Sequence, residues 1–240
     1  MKMTSAIIIT PVKDSIETAL QTIKSVSVSI AGTENTYIIY NDNSTAENAT
    51  LLELQAKESG AEIIHVNSLT HHPSPNYLFV LQHAQDLAIS RNKHLIVIES
   101  DVTVKTGTIA NLIIQADKLA NPGLIAAVTV DTSGQINFPY LYARKFKKGE
   151  IDTKKRLSFC CTLLSNNFLN SYSFKNLNPE KNWYDVFISH KSTELGFGNY
   201  LLTNEEVLHQ PHSSRPWKNL KYTHPLKYYW IKFTQKKDKI

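Results

Sequence analysis

The sequence has few of the residues that form several common kinds of site. Its 240 residues include two cysteines, and these, Cys160 and Cys161, are adjacent. Neighbouring cysteines rarely bridge each other, and neither a CxxC pair nor a zinc-ligand spacing occurs, so we expect a reducing, cytoplasmic compartment. The eight glycines form no GxGxxG, GxxxxGK[ST] or GxSxG motif. Their arrangement argues against a glycine-rich phosphate loop and against a nucleophilic serine of the hydrolase type.

Long apolar runs are missing too. The N-terminal run at residues 6–10 stops at Pro11, which makes it too short for the core of a secretory signal. No other run approaches the ~18 apolar residues that a bilayer crossing needs. We therefore expect a cytoplasmic protein without a membrane span, in contact at most with the inner face of the membrane.

The positive charge is concentrated in the last third of the chain. The formal net charge is +5, and basic residues cluster at 144–148, at 154–156 and from 218 to 239. Residues 217–240 combine seven lysines with several aromatic residues, a mixture typical of a peripheral membrane contact. A helix packed on the rest of the protein, with a solvated basic face, is an equal alternative. Nucleic-acid binding would rest on this basic tail alone and is not expected.

The first half alternates short apolar runs with segments of helical periodicity. This order predicts an α/β fold, with a mostly parallel central sheet and helices on both faces. The predicted strands cover residues 6–10, 37–40, 62–66, 95–98 and 124–130, and the predicted helices cover 14–28, 46–59, 76–90 and 109–120.

The pattern becomes irregular after residue 131. Residues 157–164 predict a strand or a short buried helix, residues 166–182 a loop, and residue 183 the start of a helix. We therefore predict a nucleotide-binding half at 1–131, an appended α+β half of the same domain at 132–216, and a basic aromatic tail at 217–240.

The sharpest candidate site is Glu99-Ser100-Asp101, directly after a predicted strand. Carboxylates two residues apart at a strand end can reach one ligand, and hard cations such as Mg²⁺ or Mn²⁺ prefer such oxygens. Asp14 and Asp42 also follow strands, and in open α/β sheets ligands bind at the carboxyl ends of the strands. We predict a metal-held nucleotide diphosphate there. The alternative is an acidic turn without a ligand.

Five further residues are candidates for chemistry. Asp42 could accept hydrogen bonds from a base or ribose, or could only shape a turn. Asp185 follows two aromatic residues, which suits a general base, although the residue pattern alone slightly favours an exposed acid at a helix start. His209 and His212 could bind a metal, and His212 and Arg215 could contact phosphates or the acceptor. A polar loop is the alternative for that segment.

In combination, these segments resemble the inverting glycosyltransferases of family 2, which have the GT-A fold. The first-strand motif is matched by the segment containing Pro11, Val12 and Asp14, and the Asp-x-Asp motif by Glu99-Ser100-Asp101. Asp185 resembles the family's acceptor-side acid, and His209 its late histidine. The resemblance covers roughly residues 5–217. Two departures are Asn41, in place of the first acid after the second strand, and Gln82, where many members have Asn.

The resemblance implies a GT-A-like sheet and transfer of a sugar, with inversion, from a nucleotide-diphosphate sugar to an acceptor hydroxyl. It implies Mg²⁺ or Mn²⁺ as cofactor, with Glu99, Asp101 and His209 near the metal and Asp185 as base. The acceptor would be a glycan or a lipid-linked molecule, in surface polysaccharide or glycolipid synthesis. The alternatives are an inactive nucleotide- or sugar-binding module of this fold, and a nucleotidylyltransferase, which usually needs a glycine-rich basic loop.

Overall fold

The computed structural model describes residues 5–154, 156–210, 220 and 224–234. Its described residues form a nine-stranded mixed sheet. The strands are β1 (Ala6–Val12), β2 (Thr36–Asn41), β3 (Glu62–His65), β4 (His94–Ile98), β5 (Val102–Thr103), β6 (Pro122–Val130), β7 (Glu150–Asp152), β8 (Cys161–Leu164) and β9 (Gly198–His209). Their order across the sheet is β3-β2-β1-β4-β8-β6-β9-β5, and β7 also pairs with β9.

Helices cover both faces of this sheet. They are α1 (Ile16–Ser29), α2 (Ala46–Ser59), α3 (Tyr77–Ser90), α4 (Thr108–Lys118), α5 (Asn166–Ser171), α6 (Tyr184–Glu194) and α7 (Pro225–Thr234). Successive strand residues face opposite sides, so Ile7 and Ile9 join the core on the α3, α5 and α6 side. Ala6 and Ile8 join the core on the α1, α2 and α4 side. None of the helices in the described ranges has both the length and the hydrophobicity needed to cross a bilayer.

The α/β architecture predicted from the first half is confirmed. β1 pairs in parallel with both β2 and β4, and β2 pairs in parallel with β3. The predicted end of the second helix is also confirmed, because Gly60 caps α2 with φ of 65°, a left-handed conformation that glycine adopts without strain. The carboxyl ends of β1, β2 and β4 therefore meet at one edge of the sheet.

Residues beyond 131 complete the same sheet and make it mixed. β8 lies antiparallel between β4 and β6, and β9 runs parallel to β6. Two predictions for this half were incomplete. Residues 166–182 were expected to be a loop, but they contain α5, whose N-cap Ser165 accepts a hydrogen bond from the Phe168 amide. The sequence pattern also gave no strand where β9 lies.

The end of β9 is what brings the two halves together at the candidate site. The chain leaves β4, turns through residues 99–101 and enters β5, which pairs antiparallel with β9 so that Val102 lies opposite His209. The Gln210 amide donates to the Asp101 carbonyl over 3.0 Å. This pairing fixes a histidine from the second half beside the acidic turn of the first.

Candidate functional site

Four side chains with metal-binding groups come together from the turn after β4, the residue before β8 and the end of β9. The sulfur of Cys160 donates to Glu99 Oε2 over 3.3 Å and lies 4.0 Å from His209 Nε2. His209 Nε2 lies 3.6 Å from Asp101 Oδ2. Ligand atoms of Glu99, Cys160 and His209 all lie within 4.8 Å of one another. We call Glu99, Asp101, Cys160 and His209 the acidic cluster.

Backbone contacts hold the cluster in place. The Glu99 amide donates to the Cys160 carbonyl over 3.1 Å, which ties the end of β4 to the start of β8. His209 Nδ1 lies 2.8 Å from the Phe138 carbonyl. A carbonyl can only accept, so Nδ1 carries a proton, and in the neutral ring Nε2 is left as the acceptor that faces the acids. Fixing the tautomer through the second nitrogen is the usual way in which proteins orient a metal-binding histidine.

The cluster is electrostatically costly because it holds two carboxylates out of water. Burial and then the charge of Asp101 raise the pKa of Glu99 to about 7, against the opposing effect of His209. Burial, followed by the charges of Glu99 and Asp101, raises the pKa of the Cys160 thiol well above its usual range. Burial lowers the pKa of His209, but the interactions with Asp101 and Glu99 outweigh it and the pKa is raised. A cation bound here would relieve this repulsion.

Asp42, the second predicted site residue, lies at the end of β2 and has a local role. Its Oδ2 accepts from Ser74 Oγ over 2.7 Å and from the Asn76 amide over 2.8 Å, while Oδ1 accepts from Asn76 Nδ2 over 2.8 Å. The side chain thus anchors the segment that leads into α3. Because a carboxylate offers about four acceptor positions, these three bonds leave capacity for a further donor.

Asp14, Pro11 and Val12 lie at the same edge. Asp14 Oδ1 accepts from the Thr45 amide over 2.8 Å and from Asn48 Nδ2 over 3.3 Å, so it ties the segment after β1 to the start of α2. Pro11 and Val12 lie opposite Tyr40 and Asn41 in the parallel pair of β1 and β2. The predicted nucleotide-side residues are thereby gathered at one rim of the sheet.

Asn41 and Gln82, the two departures from the family pattern, have structural partners. Asn41 Oδ1 accepts from the Ser44 amide over 3.1 Å, and its Nδ2 lies 3.1 Å from His65 Nδ1. Gln82 Nε2 donates to the Phe174 carbonyl over 3.2 Å. Both amides therefore hold loops at the end of β2 and beside α3.

A pocket of about 190 Å³ adjoins the acidic cluster. Its lining residues are Phe138, Pro139, Tyr140, Tyr142, Arg156, Ser158, Asn182, Trp183 and Asp185. Asp185 lies in the first turn of α6, and its charge contributes to the raised pKa of Glu99. Ser158 Oγ lies 3.4 Å from the Cys160 sulfur, so the pocket and the cluster are contiguous. We call it the α6 pocket.

The structure therefore brings Glu99, Asp101 and His209 together and places Asp185 in the adjoining pocket. Ser100 is half-buried in the turn between the two acids. The predicted residues His212 and Arg215 lie outside the described residues.

Sequence reasoning missed Cys160 and Tyr77. Cys160 is 61 positions from Glu99 along the chain, and only the pairing of β4 with β8 makes them neighbours. Tyr77 opens α3, and its hydroxyl is buried without a hydrogen-bond partner among the described residues. Burial, followed by the charges of Glu99, Asp185 and Cys160, raises the pKa of Tyr77 well above its usual value. It therefore remains a hydrogen-bond donor beside these acids. No sequence signal marks either residue.

Comparison with known proteins identifies the fold. No protein-family model matches the chain, and no curated protein matches its sequence. Among solved structures, it resembles GalNAc-T7 with UDP, GalNAc and Mn²⁺ (TM-score 0.60, 12% identity, 89% of this chain and 45% of that one). It also resembles S. aureus TarS 1–349, with a TM-score of 0.63 and 13% identity over 86% of this chain and 60% of that one. A third similar structure is the mannosyltransferase PcManGT from Pyrobaculum calidifontis with GDP-Man and Mn²⁺. Its TM-score is 0.61, with 12% identity over 95% of this chain and 64% of that one.

The fold is GT-A-like. At these identities the likeness shows the fold alone, and the chain spans less than two thirds of the length of each of these three structures. In this GT-A-like frame the acidic cluster follows β4 at the carboxyl edge of the sheet. Ligands bind at that edge in open α/β sheets.

The raised pKa of Glu99 predicts a pH-dependent stability in the presence of a chelator. Its pKa rises from the usual 4.5 to about 7, so between these values the folded state keeps a proton that the unfolded state has released. Stability is then lost as pH rises through this window. We expect Glu99→Gln to raise Tm by at least ~2 °C at about pH 8, with little change at about pH 4.5.

Thermal unfolding with EDTA measures both values, and exposed Glu58→Gln on α2 is the control. A gain of the same size at both pH values would contradict the burial of a charged Glu99.

Proposed function

We propose that this chain transfers a sugar from a nucleotide-diphosphate sugar to an acceptor hydroxyl, in a metal-dependent reaction that inverts the anomeric carbon, as in family 2. The observation that carries the proposal is the acidic cluster, with Glu99, Asp101 and His209 beside the pocket that holds Asp185. The GT-A-like fold supports it, as do the UDP, GDP-Man and Mn²⁺ named for two of the similar structures.

The residues of the cluster suit Mn²⁺ or Mg²⁺. Glu99 and Asp101 offer hard carboxylate oxygens, and His209 offers the nitrogen that its bond to Phe138 leaves free of a proton. A divalent ion held there would neutralise negative charge on the departing nucleoside diphosphate. The mutual repulsion of the two acids gives the chain an electrostatic reason to bind a cation at this place.

The donor would lie across the strand ends. Its nucleoside would face the edge formed by Pro11, Val12, Asp14 and Asp42, and its diphosphate would approach Ser100 and Asp101. Asp42 already orders the segment before α3 through three hydrogen bonds. A pre-ordered edge lowers the entropic cost of holding a flexible donor.

Asp185 would accept the proton of the acceptor hydroxyl. Inversion proceeds by a single displacement, so one base on the acceptor side suffices. Among the described residues that line the α6 pocket, Asp185 supplies the carboxylate. The aromatic residues Tyr140, Tyr142 and Trp183 add apolar surface to the polar groups of the same pocket.

The tail offers a surface for the membrane contact that the sequence suggested. α7 buries Tyr228, while Leu226, Tyr229, Trp230 and Phe233 on its other face are 89%, 58%, 71% and 88% exposed. Their spacing of three and four residues places them on one helical face. Lys227 and Lys232 flank that face, which suits the surface of an anionic bilayer.

A contact between α7 and Trp183 places the exposed face of α7 near the α6 pocket. Lys232 Nζ lies 4.8 Å from the ring centre of Trp183, and Trp183 lines the pocket that contains Asp185. Docking of α7 on a bilayer would thus hold the acceptor side near the lipid surface. We therefore propose a lipid-linked acceptor and synthesis of a surface polysaccharide or glycolipid.

Asp101→Asn should abolish Mn²⁺-dependent binding of nucleoside diphosphate. Loss of one carboxylate charge from the cluster removes most of the attraction for the ion that anchors the diphosphate. A thermal-shift screen of nucleoside diphosphates, with and without Mn²⁺, should show a stabilisation of about 2.7 kcal/mol for the unaltered chain at about 100 times Kd. The variant should show none.

Exposed Asp117→Asn on α4 is the matched control and should behave like the unaltered chain. Equal Mn²⁺-dependent stabilisation of the Asp101 variant would refute the role of Asp101.

Asp185→Asn should lower the rate of sugar transfer by roughly 10²–10⁴, the usual contribution of a general base. Its affinity for the nucleoside diphosphate should stay nearly unchanged, because Asp185 faces the acceptor. The measurement is release of nucleoside diphosphate from the nucleotide sugar that the thermal-shift screen selects. Exposed Glu180→Gln, close in sequence, is the control.

A loss of nucleotide affinity as large as the loss of rate would count against Asp185 as base. Nucleotide binding without turnover by the unaltered chain would favour the inactive-module alternative.

Trp230→Ser combined with Phe233→Ser should weaken binding to anionic vesicles. Since burial of one large apolar side chain contributes about 1.5–3 kcal/mol, the pair should lower the partition coefficient at least ~10-fold. Co-sedimentation with phosphatidylglycerol-containing and purely phosphatidylcholine vesicles measures this and the need for negative charge. Val28→Ser with Leu54→Ser, exposed on α1 and α2, is the control pair.

Unchanged sedimentation of the Trp230 and Phe233 variant would reject the membrane surface. A shift from dimer to monomer, with vesicle binding intact, would instead assign the face to a second copy of the chain.

A further inference from the structure

Cys160 places a sulfur within the acidic cluster. The side chain is buried at 2% exposure, and its sulfur is close to both Glu99 Oε2 and His209 Nε2, at 3.3 and 4.0 Å. The adjacent Cys161 is equally buried, but after burial itself the charge that raises its pKa is that of Glu205. The two neighbouring thiols thus lie in different electrostatic surroundings, and Cys160 belongs to the cluster.

The donor atoms of Glu99, Cys160 and His209 all lie within 4.8 Å of one another, close enough to bind a single ion. From Glu99 oxygen to Cys160 sulfur, to His209 nitrogen and to Asp101 oxygen, the successive separations are 3.3, 4.0 and 3.6 Å. Bond lengths of ~2.0 Å to nitrogen or oxygen and ~2.3 Å to sulfur give separations of about 3.3–3.6 Å between ligands of tetrahedral Zn²⁺. The Cys160 sulfur thus lies where a ligand of such an ion would lie, with Glu99 and His209 as the neighbouring ligands.

We propose that Cys160 is a ligand, and that the cluster therefore binds thiophilic divalent cations such as Zn²⁺, Co²⁺ or Cd²⁺ in preference to Mg²⁺. Thiolate sulfur favours these ions, whereas Mg²⁺ requires near-octahedral oxygen coordination. Binding of the ion would release to solvent the thiol proton that Cys160 now donates to Glu99 in a hydrogen bond.

The preference for thiophilic ions has a regulatory consequence, because these ions and Mn²⁺ differ in the number of ligands they take. If Asp101, 3.6 Å from His209, joined the other three ligands of the acidic cluster on a tetrahedral ion, no open position would remain for a diphosphate, whereas catalytic ions keep one. Mn²⁺ takes more ligands and leaves positions open. This consequence rests on the proposed transferase function: Zn²⁺ or Cd²⁺ would compete with Mn²⁺ and block nucleotide binding.

Titration of the nucleotide-free protein with Cd²⁺ tests the ligand assignment. The unaltered chain should develop the ultraviolet sulfur-to-cadmium charge-transfer band, and Cys161→Ser should retain it. Cys160→Ser should lose the band and bind Cd²⁺ at least ~10-fold more weakly, since even outer-shell changes cost that much. Its affinity for Mg²⁺ should not change.

If Cys160→Ser does not fold, the comparison of the unaltered chain with Cys161→Ser still decides the matter. The sulfur-to-cobalt band on Co²⁺ addition should be the same in both. A site that binds Cd²⁺ without a charge-transfer band, or one whose band disappears in Cys161→Ser, would overturn the assignment.

The transferase proposal is judged by a separate measurement, Mn²⁺-dependent stabilisation by nucleoside diphosphate. If nucleoside diphosphate stabilises the protein but no charge-transfer band appears, the transferase proposal is retained and Cys160 is rejected as a ligand. If the band appears without the stabilisation, Cys160 is retained as a ligand and the transferase proposal is rejected. With both present, Cd²⁺ should abolish the stabilisation in the unaltered chain and leave most of it in Cys160→Ser.

Discussion

Two carboxylates, Glu99 and Asp101, are held beside each other with little access to water, and their repulsion is the constraint on which the arrangement of the site depends. The turn after β4 cannot move away, because β5 pairs with the end of β9 and the start of β8 bonds to the Glu99 amide. Two neighbouring side chains reduce the electrostatic cost of this arrangement. Cys160 donates to Glu99, and His209 lies against Asp101. A folded chain that keeps such a turn gains stability from any cation it admits.

Most of the first half of the fold could be predicted from the sequence, because its strands are short apolar runs buried on both faces. Ile7, Ile8 and Ile9 are wholly buried, and runs of this kind are typical of parallel strands. β9 could not be predicted in the same way. Its register against β6 shifts between Leu202 and Glu206, and the polar residues of that bulge break the alternation that marks a strand.

The residues of the candidate site likewise differ in whether the sequence could predict their position. Glu99, Asp101 and Asp42 follow predicted strands, so their meeting at one edge follows from parallel topology. The position of Cys160 depends instead on β8, an antiparallel strand between β4 and β6. Local periodicity contains no information about such long-range pairing. A sulfur ligand beside an acidic turn is therefore visible only in the folded chain.

Charge is also distributed unevenly across the site, and this bears on the acceptor. The cluster is acidic, whereas on the far side of the α6 pocket both Arg156 and Lys232 lie over the ring of Trp183, at 5.2 and 4.8 Å. Two cations beside one aromatic side chain make this part of the protein attractive to a negatively charged group. Asp185 follows Trp183 by two residues, and an acceptor that carries phosphate would supply more negative charge. Under the proposed transferase function, a lipid-linked phosphate as acceptor would suit both these cations and the exposed apolar face of α7.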